Sequence, residues 1–170
     1  MRRLVLLRHA KSDYPAGVAD VDRPLSQRGE TQAPLAGRWV AENIAGIDHV
    51  VVSVAQRTRQ TWSLVSLQLP EAPEAMFDPR IYEASVSDLL QVIADAPDSA
   101  RTVLLIGHNP GLEDLVLHLC TNPESKDADR LREKFPTSAI AVLDFDDDWS
   151  GLDSRGADLV TFEVPRGQKP

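Results

Sequence analysis

Val103-Leu104-Leu105-Ile106-Gly107-His108-Asn109-Pro110-Gly111 runs four branched apolar residues without a break into a polar turn. A strand with one wet face would alternate apolar with polar, so an unbroken run of this length reads as a strand buried on both faces of a parallel sheet. Two further runs share the pattern: Leu4-Val5-Leu6-Leu7, ending in Arg8-His9, and Val50-Val51-Val52, followed by Ser53 and then Arg57. Between them lie residues at helical spacing, such as Thr58, Trp62, Val65 and Leu69, or Leu112, Leu115, Val116 and Leu119, which place apolar groups along one helix face. Strands alternating with helices predict an α/β fold, a three-layer α/β/α sandwich around a mostly parallel central sheet.

Outward from these runs, the stretch from Ser26 to Asn43 reads as a helix, with Pro34 expected to kink it or to mark its true start. Ser85 with Asp88 forms the pattern of a capping box, and Leu89, Leu90 and Ile93 supply an apolar face, predicting a helix over about 86 to 95. Ser138 to Phe145 and Ala157 to Val164 read as two strands pairing as an antiparallel edge, joined by a polar connection that holds Asp146, Asp147, Asp148 and Gly151. Loops are expected over about 10 to 25, 70 to 84 and 121 to 137. The whole, residues 1–170, reads as a single domain.

With 42% hydrophobic residues the chain can bury one substantial core without cross-links. The lone Cys120 rules out an intramolecular disulfide and lies among apolar neighbours, where a thiol packs rather than reacts. No opening apolar run is long enough for a leader or a membrane span, so the cytoplasm is the expected compartment. A formal charge of −8 repels nucleic acid and anionic membrane. An anionic substrate must therefore be captured by a local cationic pocket.

Such a pocket is implied by the strand ends. Ligands of open α/β sheets bind beyond the carboxyl ends of the strands, and these ends carry Arg8-His9, Ser53 with Arg57, and His108. Asn109 is expected to cap the following helix and Pro110 to occupy its first position. Arg57 near a helix start suits an anion, which its guanidinium can grip through two oxygens. Arginine beside the key histidine would repel a metal cation, so phosphate chemistry is expected, with no metal and no cofactor. A lone histidine after a strand is more often structural than reactive. Arg8, however, would otherwise be an unexplained charge at the end of a buried strand. His49 and His118 read as ordinary surface or packing residues, Arg59 as a solvated side chain or surface ion pair, and Trp39, Trp62 and Trp149 as packing. The Asp146–Asp148 run lacks the spaced ligands of a calcium loop.

Four blocks in this order resemble the histidine phosphatase superfamily, also called phosphoglycerate-mutase-like, and within it the short SixA-like phosphohistidine phosphatases. The blocks are Leu7-Arg8-His9-Ala10-Lys11-Ser12, Asp22-Arg23-Pro24-Leu25-Ser26 with Arg28-Gly29, Ser53 with Arg57-Thr58-Arg59-Gln60-Thr61, and Gly107-His108-Asn109-Pro110-Gly111. The resemblance implies a phosphoglycerate-mutase-like sandwich and a metal-independent phosphatase. In it, His9 forms a phosphohistidine intermediate while Arg8, Arg57 and His108 hold the phosphoryl group. A neutral imidazole can attack phosphorus without first losing a proton, and cationic donors neutralise the equatorial oxygens.

Val54 stands where many relatives have proline, and Asn109 where larger relatives place an acidic residue. Glu83, after Ile81-Tyr82, is the candidate general acid, although a phosphoramidate leaving group can do without one. Ser12, Asp22 and Arg23 serve equally well as substrate contacts or turn caps. The implied partner is a phosphorylated protein or a small phosphorylated metabolite, with the oligomeric state left open. Rival readings are a phosphomutase of the same family, for which the chain has little length to spare as a lid, and a phosphate-binding module without turnover.

Overall fold

The computed structural model describes residues 1–167. Six strands form one sheet: β1 (Arg2–Arg8), β2 (His49–Ser53), β3 (Ala75–Asp78), β4 (Thr102–Gly107), β5 (Ile140–Phe145) and β6 (Asp158–Glu163), in the order β3-β2-β4-β1-β5-β6. The first four in that order run parallel, while β5 pairs antiparallel with both β1 and β6. The predicted antiparallel pair is present, with β6 alone at the edge.

Successive side chains of a strand point to opposite faces, and the unbroken apolar runs use both. Leu4, Leu6, Val103 and Leu105 pack on one side against α3 (Val86–Ala94), α4 (Gly111–Leu119) and α5 (Lys126–Glu133), with the short α6 (Leu152–Arg155) at the end of that layer. Val5, Leu7, Val50, Val52, Leu104 and Ile106 pack on the other side against α1 (Gln27–Asn43) and α2 (Gln56–Ser66). The sandwich thus has its three layers because β1, β2 and β4 have no polar face to leave in water.

The helix starts follow the local chemistry. Ser26 Oγ accepts the Gly29 N–H to cap α1, and the capping box of α3 is complete, with Ser85 and Asp88 each accepting the other's backbone N–H. Pro34 neither starts nor ends α1. It sits inside the helix, where its nitrogen has no hydrogen to donate. Two elements fall within segments expected to be loops. β3 is a four-residue edge strand that exposes Met76 and Phe77. The charged helix α5 buries only Ala128 and Leu131, too few apolar residues among its charges to announce itself. Trp149 packs, and its indole N–H donates to the Ala100 carbonyl at 2.9 Å. Among the described residues, no helix is long and apolar enough to cross a membrane.

Candidate active site

Parallel strands deliver their carboxyl ends to one edge, and there the predicted residues meet. Arg8 ends β1 opposite Gly107 at the end of β4, the His9 N–H donates to the Gly107 carbonyl at 3.1 Å, and His108 follows directly. Arg57 is the second residue of α2. The Thr58 hydroxyl donates to the Ser53 carbonyl at 2.7 Å, tying the helix start to the end of β2, so Val54 in place of proline leaves the turn intact. Arg8, His9, Arg57 and His108 line one cavity of about 210 Å³, together with Lys11, Ser12, Tyr14, Arg23, Asn109 and Thr137. The two imidazole centroids are 5.4 Å apart.

His9 Nδ1 lies 2.7 Å from the Ala10 carbonyl oxygen. A carbonyl can only accept, so Nδ1 carries the hydrogen and Nε2 holds the lone pair. Burial drives the His9 pKa down to about 3, the Ala10 carbonyl opposing the shift and His108, Arg8 and Arg57 adding to it. His108 is lowered to about 4, chiefly by burial and then by Arg57, and its Nε2 sits 2.7 Å from Ser53 Oγ. Both imidazoles are neutral at neutral pH. The positive charge of the pocket therefore comes from Arg8, Arg23, Arg57 and Lys11. Arg8 donates from Nη1 to the Phe135 carbonyl at 2.9 Å, while its buried Nε has no protein partner.

The sequence reading missed Asp20 and Tyr82. Arg57 donates from Nη1 to the Asp20 carbonyl at 2.7 Å and from Nη2 to its carboxylate at 3.1 Å. Arg23 binds the same carboxylate at 2.8 Å, and the Tyr82 hydroxyl donates to it. The Tyr82 bond and then the guanidinium of Arg23 hold Asp20 well below the usual carboxylate range, while Asp20 pushes the Tyr82 phenol up to about 12. Asp20 thus stays ionised and orients Arg57; it has no proton to give. Nothing in the spacing around Asp20 announced this, because apart from Arg23 its partners are 37 and 62 residues away.

A second cavity, about 540 Å³, shares Arg57, His108 and Asn109 with the first and is lined further by Asp20, Ile81, Tyr82, Glu83, Leu89 and Pro110. Glu83 lines this larger space and not the smaller one. It is exposed, with a left-handed backbone at φ 55°.

Ser12 and Arg23 line the smaller cavity and bond each other at 2.6 Å, so they build its wall as well as its turn; Asp22 does not line it. Among the described residues, Arg59 makes no ion pair. Its guanidinium lies 4.2 Å over the Phe77 ring and donates to the Val54 carbonyl, because edge strand β3 brings an aromatic face alongside α2. Asn109 Oδ1 accepts the Glu113 N–H at 3.2 Å, as a cap should, whereas Pro110 stands at the N-cap and not at the first helical position. His49 is half-buried in β2, and His118 pairs with Asp153 on the surface. Cys120 ends α4 against the core, outside both cavities. Among the described residues, no three His, Cys, Asp or Glu side chains gather as a metal-binding group.

Residues 4–102 match the model of the histidine phosphatase superfamily (branch 1). The chain belongs to the histidine phosphatase superfamily. Within it, the chain is similar to the uncharacterized protein Rv1276c of Mycobacterium tuberculosis (strain H37Rv), 40% identical over 162 residues that cover 94% of this chain and all of that protein. It is also similar to phosphohistidine phosphatase SixA of Escherichia coli (strain K12), 29% identical over 88% of this chain and 89% of that one. Among solved structures, a protein of Nakamurella multipartitia provisionally named phosphohistidine phosphatase SixA superposes with a TM-score of 0.88 at 32% identity, over 98% of this chain and 97% of its own. A protein histidine phosphatase SixA solved with tungstate superposes with a TM-score of 0.78 at 25% identity, over 96% and 97%. This histidine phosphatase is thus SixA-like in sequence and in fold.

Proposed function

We propose that the chain, a single histidine phosphatase domain across residues 1–170, is a metal-independent phosphatase acting on phosphohistidine in a protein or on small phosphomonoesters. The observation that carries this reading is the His9 tautomer: Nδ1–H is committed to the Ala10 carbonyl, leaving the Nε2 lone pair in a cavity walled by three arginines. Nε2 attacks phosphorus, a P–N bond forms to His9, and the bond from phosphorus to the leaving oxygen or nitrogen breaks with its electron pair. Arg8, Arg57 and His108 bind the equatorial oxygens throughout, where charge must be neutralised. Water then cleaves the P–N bond, releasing inorganic phosphate and restoring neutral His9.

Glu83 is the proton donor for oxygen leaving groups in this scheme, since it lines the larger cavity that shares Arg57, His108 and Asn109 with the phosphoryl pocket. A phosphoramidate leaves with less help, which fits the similarity to phosphohistidine phosphatases. The test is turnover of p-nitrophenyl phosphate in excess chelator. Activity that persists in chelator and falls by at least about 10³-fold in His9→Ala is expected. Activity that needs added metal, or that survives the substitution, would reject the reading.

A further inference from the structure

A third cavity, about 240 Å³, is lined by Arg8, Lys11, Arg28, Gln32, Lys134, Pro136, Thr137 and Arg166 and shares no residue with the cavity that Tyr82 lines. It shares Arg8, Lys11 and Thr137 with the phosphoryl pocket, so the two spaces adjoin across one guanidinium. Five of its eight lining residues are cations and none is acidic, in a chain that holds 26 acidic side chains against 18 basic. Several arginines elsewhere are answered, Arg3 by Asp144, Arg80 by Asp78 and Asp95, Arg130 by Asp127 and Arg132 by Asp129, whereas among the described residues Arg38, Arg59 and Arg101 stand alone rather than in a group. Among the described residues, none of the five cations around this cavity makes an ion pair.

The arrangement is built. Gly29 in the first turn of α1 lies so close to the loop after β1 that a Cβ there would be 2.0 Å from the Lys11 carbonyl oxygen. Ser26 clamps the same contact, its backbone N–H donating to Lys11 O at 2.9 Å and its hydroxyl at 3.1 Å. That contact sets Arg28 beside Lys11, although a cation in the first turn of a helix opposes the macrodipole. One turn further on, Gln32 is 6% exposed and lines the cavity. Like charges crowded without counter-ions repel one another, and a bound dianion removes that repulsion.

We propose that this cavity is a second phosphate subsite, so that the preferred substrate carries two phosphoryl groups: one placed for attack by His9, the other held by Lys11, Arg28, Lys134 and Arg166, with Arg8 between them. This rests on the proposed phosphatase reading and narrows its substrate class. A single carboxylate would occupy one guanidinium, whereas five cations and an amide around a space of this size suit a tetrahedral dianion.

The experiment compares short alkanediol bisphosphates, with two to four carbons between the phosphates, against the monophosphates of the same alcohols. For the best-fitting length kcat/KM exceeds that of its monophosphate by about tenfold or more. In Arg28→Gln/Lys134→Gln that preference falls to within about twofold, while monophosphate turnover stays within about threefold. No preference at any length, equal loss on both substrates, or a stronger preference for phosphohistidine peptides flanked by aspartate overturns the proposal. Calorimetry on His9→Ala with inorganic phosphate and with the same bisphosphates needs no turnover, and it separates this proposal from the phosphatase reading. Two phosphate sites that become one in the double substitution show that free phosphate also uses the subsite, and support it. Stoichiometry and bisphosphate affinity unchanged by the substitution overturn it even if p-nitrophenyl phosphate is hydrolysed.

Discussion

The two flanks of the phosphoryl pocket are wired in opposite ways. Toward Tyr82, Asp20 answers both Arg57 and Arg23, and the adjoining 540 Å³ cavity mixes carboxylates with apolar walls. Toward Lys11, five cations converge with no carboxylate among them. A guanidinium gripped by a carboxylate is a donor fixed in direction but partly neutralised; an unpaired one is a free charge that acts at longer range. One flank therefore supplies geometry and the other supplies field, and between them stand two imidazoles kept neutral by burial.

That neutrality has the largest expected consequence. The His9 pKa is about 3 in the folded chain against an ordinary 6.5. Between those values the unfolded chain binds the proton and the folded chain does not. Stability is therefore full above pH 6.5 and is lost as pH falls toward 3, by on the order of 4 kcal/mol from His9. His108 adds in the same direction. Urea unfolding at pH 7 and pH 4 measures the loss, and His9→Ala should flatten it. A stability that rises on acidification would mean the imidazoles are charged when folded.

The next effect lies on the Tyr82 flank. Glu83→Gln is expected to slow alkyl phosphate hydrolysis by about 10²-fold while sparing p-nitrophenyl phosphate, whose leaving group needs no proton. Equal losses on both would remove Glu83 from proton transfer. Asp20→Asn is expected to cost less, about tenfold in kcat/KM, because Arg57 keeps its charge and its bond to the Asp20 carbonyl but loses the ionised partner. A loss as large as that of His9→Ala would show that Asp20 does more than orient, and no loss would break the distinction between a wired and an unwired flank.

Where local chemistry decides structure, the chain was legible. Ser85 and Asp88 form their capping box, Ser26 caps α1, and the unbroken apolar runs became the central strands. Arg8, His9, Arg57 and His108 were legible for a related reason: each follows a strand whose direction the parallel sheet dictates, so position along the chain translated into position in space. β3 and α5 were not, because one is a short edge strand with exposed Met76 and Phe77 and the other buries two side chains out of eight. Neither carries enough apolar residues to stand out from its polar neighbours.

Apolar pattern and turn chemistry alone determined the sandwich, its sheet edge and the four residues gathered there, since burial and capping act between residues close in sequence or along one strand. Only tertiary structure decided that Asp20 would hold Arg57 against Tyr82 and that Lys11, Arg28, Lys134 and Arg166 would share one cavity. Those depend on Coulomb and hydrogen-bond partners brought from distant segments, and such forces follow distance in space, which the order of residues does not contain.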